Sequence, residues 1–300
     1  LQKLLREMAD AGCSHVVMEV SSHSLVLSRV AGIRFQVGVF TNLTQDHLDF
    51  HGTMEEYAKA KALLFSQCDR GAVNLDDHWA EFMLKEARCP MLTFAVKRNE
   101  ADLVAKDVRL SSDGVKFCVL TPQSLERVRL GIPGHFSVYN ALSVIACGTM
   151  LGIDTSLVAE ALSTARGVKG RMEVVPTDGD YTIIIDYAHT PDALENVLRS
   201  MKEVVSGRLV VLFGCGGDRD RTKRPIMGKI AAKHADFVIV TSDNPRTEEP
   251  GAIIADIMDG LEGTKTPHVV IEDRREAIAY AIENHWPGDT IILAGKGHET

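Results

Sequence analysis

The chain has 300 residues, 45% hydrophobic and 25% charged, enough for a sizeable buried core divided over two domains and unlike a disordered or fibrous polypeptide. A formal net charge of -8 leaves no broad basic field to displace phosphate counterions, so nucleic acid is excluded as a default partner and anionic ligands must be met by local arginines. The six cysteines (Cys13, Cys68, Cys89, Cys118, Cys147, Cys215) make no C-x-x-C pair, which fits reduced thiols in a cytoplasmic protein; no apolar run reaches the ~20 residues of a membrane helix, and no signal peptide is expected.

An apolar stripe of Leu1, Leu4, Leu5 and Met8 predicts an opening helix, so the sequence is read as starting in mid-domain. A strand is predicted over residues 15–20, stopping at Ser21, Ser22 and His23. Within it Glu19 is anomalous: a carboxylate among VVMEV is costly to bury unless it faces a cation or a metal. An edge strand with Glu19 turned to water is the plainer alternative.

Residues 37–65 organise the first half. A β-branched apolar run over 37–41 reads as a buried strand that empties into Asn42, Asp46, His47, Asp49 and His51, a dense set of ligand-type side chains. Thr53 and Glu56 form an S/T-x-x-E capping box that starts a helix, with Glu55 and Glu56 where the macrodipole favours acids. Tyr57, Lys61, Leu64 and Phe65 share one face of that helix, so Lys61 projects from its apolar side. A buried ammonium must find a partner, lose its proton or be chemically changed. His51 itself, with His78, His234, His268 and His285, reads as a surface or capping histidine.

Residues 103–132 hold period-2 strands with a turn at Ser111, Ser112, Asp113 and Gly114, an antiparallel flap on an α/β domain. Gly134 opens a long small-residue helix with Asn140 near its first turn, a second helix covers 155–165, and Gly167 and Gly170 mark a linker. The expected domains are therefore 1–169 and 170–300.

Beyond Gly170 strands at 181–185, 209–213, 237–241, 269–271 and 290–294 alternate with helices, the pattern of a Rossmann-like, doubly wound parallel sheet. Such sheets bind ligands beyond the carboxyl ends of their strands. Here those ends carry Asp186 to Asp192, Gly214 to Arg221, Asp243-Asn244-Pro245-Arg246 and Gly295 to Glu299. Arg219 and Arg246 suit carboxylates, while Asp243 and Glu299 suit an ammonium. The run Arg219, Arg221, Lys223, Arg224 is read as anion-binding rather than as a solvated helix start. A nicotinamide site is set aside, because the G-x-G-x-x-G begun by Gly214 and Gly216 ends in Arg219 and no early acidic ribose ligand follows.

These stretches, together with YAKAKALLF at 57–65 and GRMEVV at 170–175, make the chain resemble the Mur ligases over essentially its whole length, most closely the branch that adds 2,6-diaminopimelate. The motifs MEVSSH, TNLTQDHLDFHG, DYAHTPDAL, GCGGDRD, DNPRTE and GKGHE occur in the family's order. The resemblance implies a Mur ligase central domain, incomplete at its N-terminus, followed by the family's C-terminal domain. It implies ATP-driven amide formation: the D-glutamate carboxylate of UDP-N-acetylmuramoyl-L-alanyl-D-glutamate becomes an acyl phosphate, which the amine of meso-2,6-diaminopimelate attacks, in peptidoglycan biosynthesis. Glu19, His47 and Lys61 are the implied catalytic centre and Mg2+ ligands, Lys61 as a carbamate made with CO2. Asn140, Arg171 and Asp186 are implied for ATP, Ser21 and Arg29 for the UDP-linked substrate, and Arg219, Asp243, Asn244, Pro245, Arg246, Gly295 and Glu299 for diaminopimelate. A lysine-adding sister ligase and a non-catalytic scaffold are the alternatives, and a monomer in the cytoplasm is expected.

The chain departs from the family in three respects. It has no G-x-x-x-x-G-K-[ST] loop, which in the family would lie upstream of Leu1 with a uridine-binding domain; the family continues past Thr300; and Ser137 and Leu27 stand where asparagine and, in some members, glutamine occur. The 300 residues alone are accordingly expected to lack ligase activity.

Overall fold

The alternation of apolar runs and turn residues resolves into two six-stranded sheets in the computed structural model, which describes residues 1–44, 48–122, 124–165 and 167–297. Two compact units emerge. The first comprises Leu1–Asp107, Phe117–Val128 and Val138–Ala161, the second Val108–Lys116, Arg129–Ser137 and Leu162–Thr300.

The chain begins with helices α1 (Gln2–Asp10) and α2 (Ser22–Val26), and the first of the two sheets runs in the order β1-β2-β3-β4-β5-β6. These strands are β1 (Phe35–Phe40), β2 (Cys68–Asn74), β3 (Met91–Ala95), β4 (Leu103–Ser111), β5 (Gly114–Leu120) and β6 (Leu125–Leu130). The helices α3 (Leu48–His51), α4 (Met54–Ala62) and α5 (Ala80–Glu86) lie between strands, and α6 (His135–Met150) and α7 (Thr155–Thr164) follow. Phe40, Tyr57, Ala58, Phe65, Val73, Met83 and Ala95 close the core over β1 to β3. The predicted flap forms, but its strands extend the same sheet rather than standing apart from it.

The strand expected over residues 15–20 is not formed. The segment is irregular and Val17 is 99% exposed. A strand holds only through its ladder, and among the described residues β1 at the sheet edge is bonded to β2 alone, so this apolar run gains no place in the sheet for its N–H and C=O groups.

In the second unit β7 (Glu173–Val175), β8 (Thr182–Asp186), β9 (Leu209–Phe213), β10 (Phe237–Val240), β11 (His268–Val270) and β12 (Thr290–Ala294) take the order β11-β10-β9-β12-β8-β7. All neighbours are parallel except β7, which runs against β8. β7 was not foreseen, since three residues carry no readable period.

The helices α8 (Pro191–Lys202), α9 (Lys223–His234) and α10 (Pro250–Met258) link strands advancing from β8 to β11, and α11 (Arg274–Glu283) leads back to β12. Right-handed crossovers therefore place α8 to α10 on one face and α11 on the other. The core agrees: Ile184, Val211, Phe213 and Val240 pack with Leu194, Leu198, Met227 and Ile257, while the alternate residues Ile183, Val210, Leu212 and Ile239 pack with Ala277 and Ala281. Each of the larger of these side chains stabilises the fold by about 2 kcal/mol. Strand β9 is buried along its whole length, as a central parallel strand must be.

Candidate functional site

Parallel register fixes where the polar loops gather. Asp186 pairs with Ala294, Leu293 with Leu212, and Phe213 with Val240, so the carboxyl ends of β8, β12, β9 and β10 stand side by side on one edge. Gly295 N donates to Asp186 O (3.0 Å) and Thr241 N to Phe213 O (3.0 Å), which carries the alignment into the loops.

Beyond that edge the structure brings Asp243, Asn244, Pro245, Gly295 and the Gly214 loop together. Gly295 has φ 101°, and a Cβ there would meet Asp243 Oδ2 at 2.9 Å. Lys296 Nζ donates to Asn244 Oδ1 (3.0 Å) and lies 3.9 Å from Asp243 Oδ1. Gly217 N donates to Asn244 O (2.9 Å), and the Pro245 carbonyl presses so closely on Gly217 that no Cβ would fit there. Arg219 and Arg246 are both exposed on these loops. The Arg219 guanidinium donates to the Asp218 carbonyl (3.5 Å), and neither guanidinium has a carboxylate partner among the described residues. Glu299, predicted for this site, lies outside the described residues.

The basic run after β9 divides in a way the sequence did not predict. Arg221 binds both oxygens of Asp256 at 3.1 Å, Lys223 donates to His189 O (2.9 Å), and Arg224 is fully buried between Glu248 (2.9 and 2.8 Å) and Asp256 (2.8 Å). The anion-binding reading is thus corrected for Arg221 and Arg224, whose charges are consumed by α10 and the loop before it; only Arg219 of the run offers a guanidinium. The Arg224 guanidinium, followed by the Asp218 N–H, holds the Glu248 carboxyl far below its usual range, at about 2.

Of the residues predicted for ATP, Asn140 is exposed in the second turn of α6 in the first unit, while Arg171 and Asp186 belong to the second. Asp186 is buried and accepts from Met172 N (2.9 Å) and Ala188 N (2.8 Å). Burial pushes its carboxyl up, against the pull of those two N–H groups and of Arg171. Arg171 is exposed, its guanidinium carbon 5.0 Å from the Tyr187 ring centroid. Gly170, expected to mark the linker, stands at φ 70°, and a Cβ there would meet Gly297 at 2.3 Å.

In the first unit Glu19 is exposed and in no strand, and His47 lies outside the described residues. Thr53 caps α4 as expected, its Oγ accepting from Glu56 N at 3.2 Å. Lys61 is half-buried rather than buried, its ammonium 5.3 Å from the Tyr57 ring centroid, because α4 turns only its Tyr57 and alanine face fully inward. Ser21 caps α2 through Ser24 N (3.2 Å), and Arg29 is exposed after it. Among the described residues no group of three or more His, Cys, Asp or Glu could hold a metal ion.

Two features here escaped the sequence reading. His51 stacks on Tyr57 (4.7 Å) and bonds Ser22 Oγ (2.9 Å), a long-range pairing only its aromatic neighbours hint at. Asp76 accepts from Val96, Lys97 and Arg98 N–H groups and from Tyr139 OH. Burial raises its carboxyl, but these donors together outweigh that and hold it below the usual range.

The profile of the Mur ligase middle domain matches residues 1–148, and that of the Mur ligase glutamate ligase domain matches residues 170–297. The UDP-N-acetylmuramoyl-L-alanyl-D-glutamate--2,6-diaminopimelate ligase of Caldanaerobacter subterraneus subsp. tengcongensis is 52% identical over the whole chain, and that of Clostridium botulinum 46%. This chain spans 62% of the length of each. A solved structure of a ligase of the same name superposes with a TM-score of 0.79 at 40% identity, over 99% of this chain and 62% of the other. A pseudomurein peptide ligase type C of Methanothermus fervidus, 21% identical, shares the fold at a TM-score of 0.64, over 93% of this chain and 64% of its own.

Proposed function

This chain belongs to the Mur ligase family, and from that premise we propose that its protein joins meso-2,6-diaminopimelate to the D-glutamate carboxylate of UDP-N-acetylmuramoyl-L-alanyl-D-glutamate, driven by ATP through an acyl phosphate. The observation that carries the reading is the pair of exposed guanidiniums, Arg219 and Arg246, without acidic partners among the described residues, near Asp243 and Asn244 at one strand edge. Such a pair accepts the carboxylates of a dicarboxylic amino acid, and Asp243 receives its ammonium. The cationic end of lysine would instead meet a guanidinium. Pro245 and Gly295 shape the loops that carry these groups, and Glu299 is assigned to the same pocket.

Residues 1–169 are assigned to ATP and metal, and 170–300 to the amino acid. Asn140 is assigned to the adenine, Arg171 and Asp186 to the phosphates and ribose, and Ser21 and Arg29 to the UDP-linked substrate. Glu19, His47 and Lys61 are the residues that would hold Mg2+, which when bound neutralises charge between phosphates and carboxylate. The half-buried amine of Lys61 supports that assignment: once deprotonated it can add to CO2, releasing a proton and exchanging a cation for a carboxylate-like group.

The test is ATP-dependent incorporation by the protein that carries this chain, with meso-diaminopimelate and L-lysine compared. Selective incorporation of diaminopimelate, lost in Arg246→Ala, is expected; equal kcat/KM for lysine would overturn the reading.

A further inference from the structure

Two loops that end neighbouring strands are tied together by side chains that the substrate reading leaves unused. After β9, Asp218 sits in the left-handed region at φ 51°, and after β10, Arg246 does so at φ 54°. Non-glycine residues hold such backbones only where their surroundings fix them.

The fixing groups are all visible. Thr247 donates to the Asp218 carboxylate through its N (3.2 Å) and its Oγ1 (2.7 Å), and Asp218 N donates to Glu248 Oε1 (2.6 Å). Behind them the fully buried Arg224 grips Glu248 through both of its terminal nitrogens and reaches Gly216 O at 3.4 Å. Arg219 follows Asp218 directly and Arg246 directly precedes Thr247, so each guanidinium hangs from one half of the tie.

We propose that Asp218, Thr247 and Glu248 form a latch that sets the span between the Arg219 and Arg246 guanidiniums, and thereby the length of dicarboxylic amino acid the crevice accepts. All three are positioning residues; the latch works without touching substrate. The inference rests on reading the crevice as an amino-acid site and deepens that reading by naming what sets its length selectivity.

The test measures binding of glutamate, 2-aminoadipate, 2-aminopimelate, 2-aminosuberate and meso-2,6-diaminopimelate to the protein that carries this chain, with amide hydrogen exchange at Asp218 and Thr247 followed in parallel. The unaltered chain should favour the seven-carbon acids. Thr247→Val should compress the preference over 2-aminoadipate by roughly tenfold and speed exchange of both amides by a similar factor, the weight of one charge-assisted hydrogen bond. Thr247→Ser should retain both properties. A Thr247→Val chain with unchanged length preference and unchanged protection would overturn the latch. If the unaltered chain binds none of the series, the substrate reading fails and the length-setting role falls with it, whereas faster exchange in Thr247→Val would still identify the tie itself.

Discussion

Asp243 Oδ2 stands 2.9 Å from the point that a Cβ on Gly295 would occupy, and Gly295 is held at φ 101°. Any other residue at 295 would therefore have to hold a left-handed backbone and push the Asp243 carboxylate aside. Gly295→Ala should strain the backbone and displace the Asp243 carboxylate, destabilising the chain by about 1–3 kcal/mol and weakening diaminopimelate binding. Thermal unfolding with a binding titration checks this; an alanine variant that keeps both properties would refute the contact.

Arg224 offers a second test. Replacing it by alanine leaves Glu248 and Asp256 facing each other without their shared cation, and breaking such a buried pair costs on the order of 3 kcal/mol. Denaturant unfolding of Arg224→Ala against the unaltered chain measures the loss.

The same cluster predicts an acid response. Glu248 falls from an ordinary 4.5 to about 2 in the folded chain, so its stabilisation is complete above pH 4.5 and is lost as pH falls toward 2. Asp256, held down by Arg221 and then Arg224, adds in the same direction. Asp186 acts oppositely: burial raises its carboxyl, so its contribution weakens as pH rises above 3.8. Melting temperatures from pH 2 to 5 should therefore climb with pH, and Glu248→Gln should flatten the climb.

At the start of α4, Thr53 Oγ satisfies Glu56 N, and Lys61 lies two turns further on. Thr53→Ala should destabilise this helix by about 1 kcal/mol, and Thr53→Ser should restore it. Exchange rates of the first-turn amides give the readout; equal rates in all three proteins would remove the cap from the account.

How far the sequence carried the fold depended on whether the deciding interactions were local. Strands β8 to β12 were legible because each apolar run is bounded by turn residues, and the rule for open α/β sheets then named the loops that carry Asp243, Arg246 and Gly295. Residues 15–20 misled for the converse reason: their pattern is that of a strand, but a strand needs a neighbour, and pairing is not written in the segment itself. Arg224 looked like its exposed neighbours because only the fold brings Glu248 and Asp256 to it. Gly170 was recognised as special, yet its partner Gly297 lies 127 positions away along the chain and no local pattern could name it.

In the proposed function Arg219 and Arg246 together read the carboxylates of the incoming amino acid. Calorimetric titration of the chain with meso-2,6-diaminopimelate and with L-lysine tests it most directly. Diaminopimelate should bind and lysine should not, and Arg219→Ala and Arg246→Ala should each weaken diaminopimelate by roughly 10- to 100-fold, the loss of a charge-assisted pair. Equal affinity for the two amino acids, or affinity for diaminopimelate untouched by either substitution, would contradict the account.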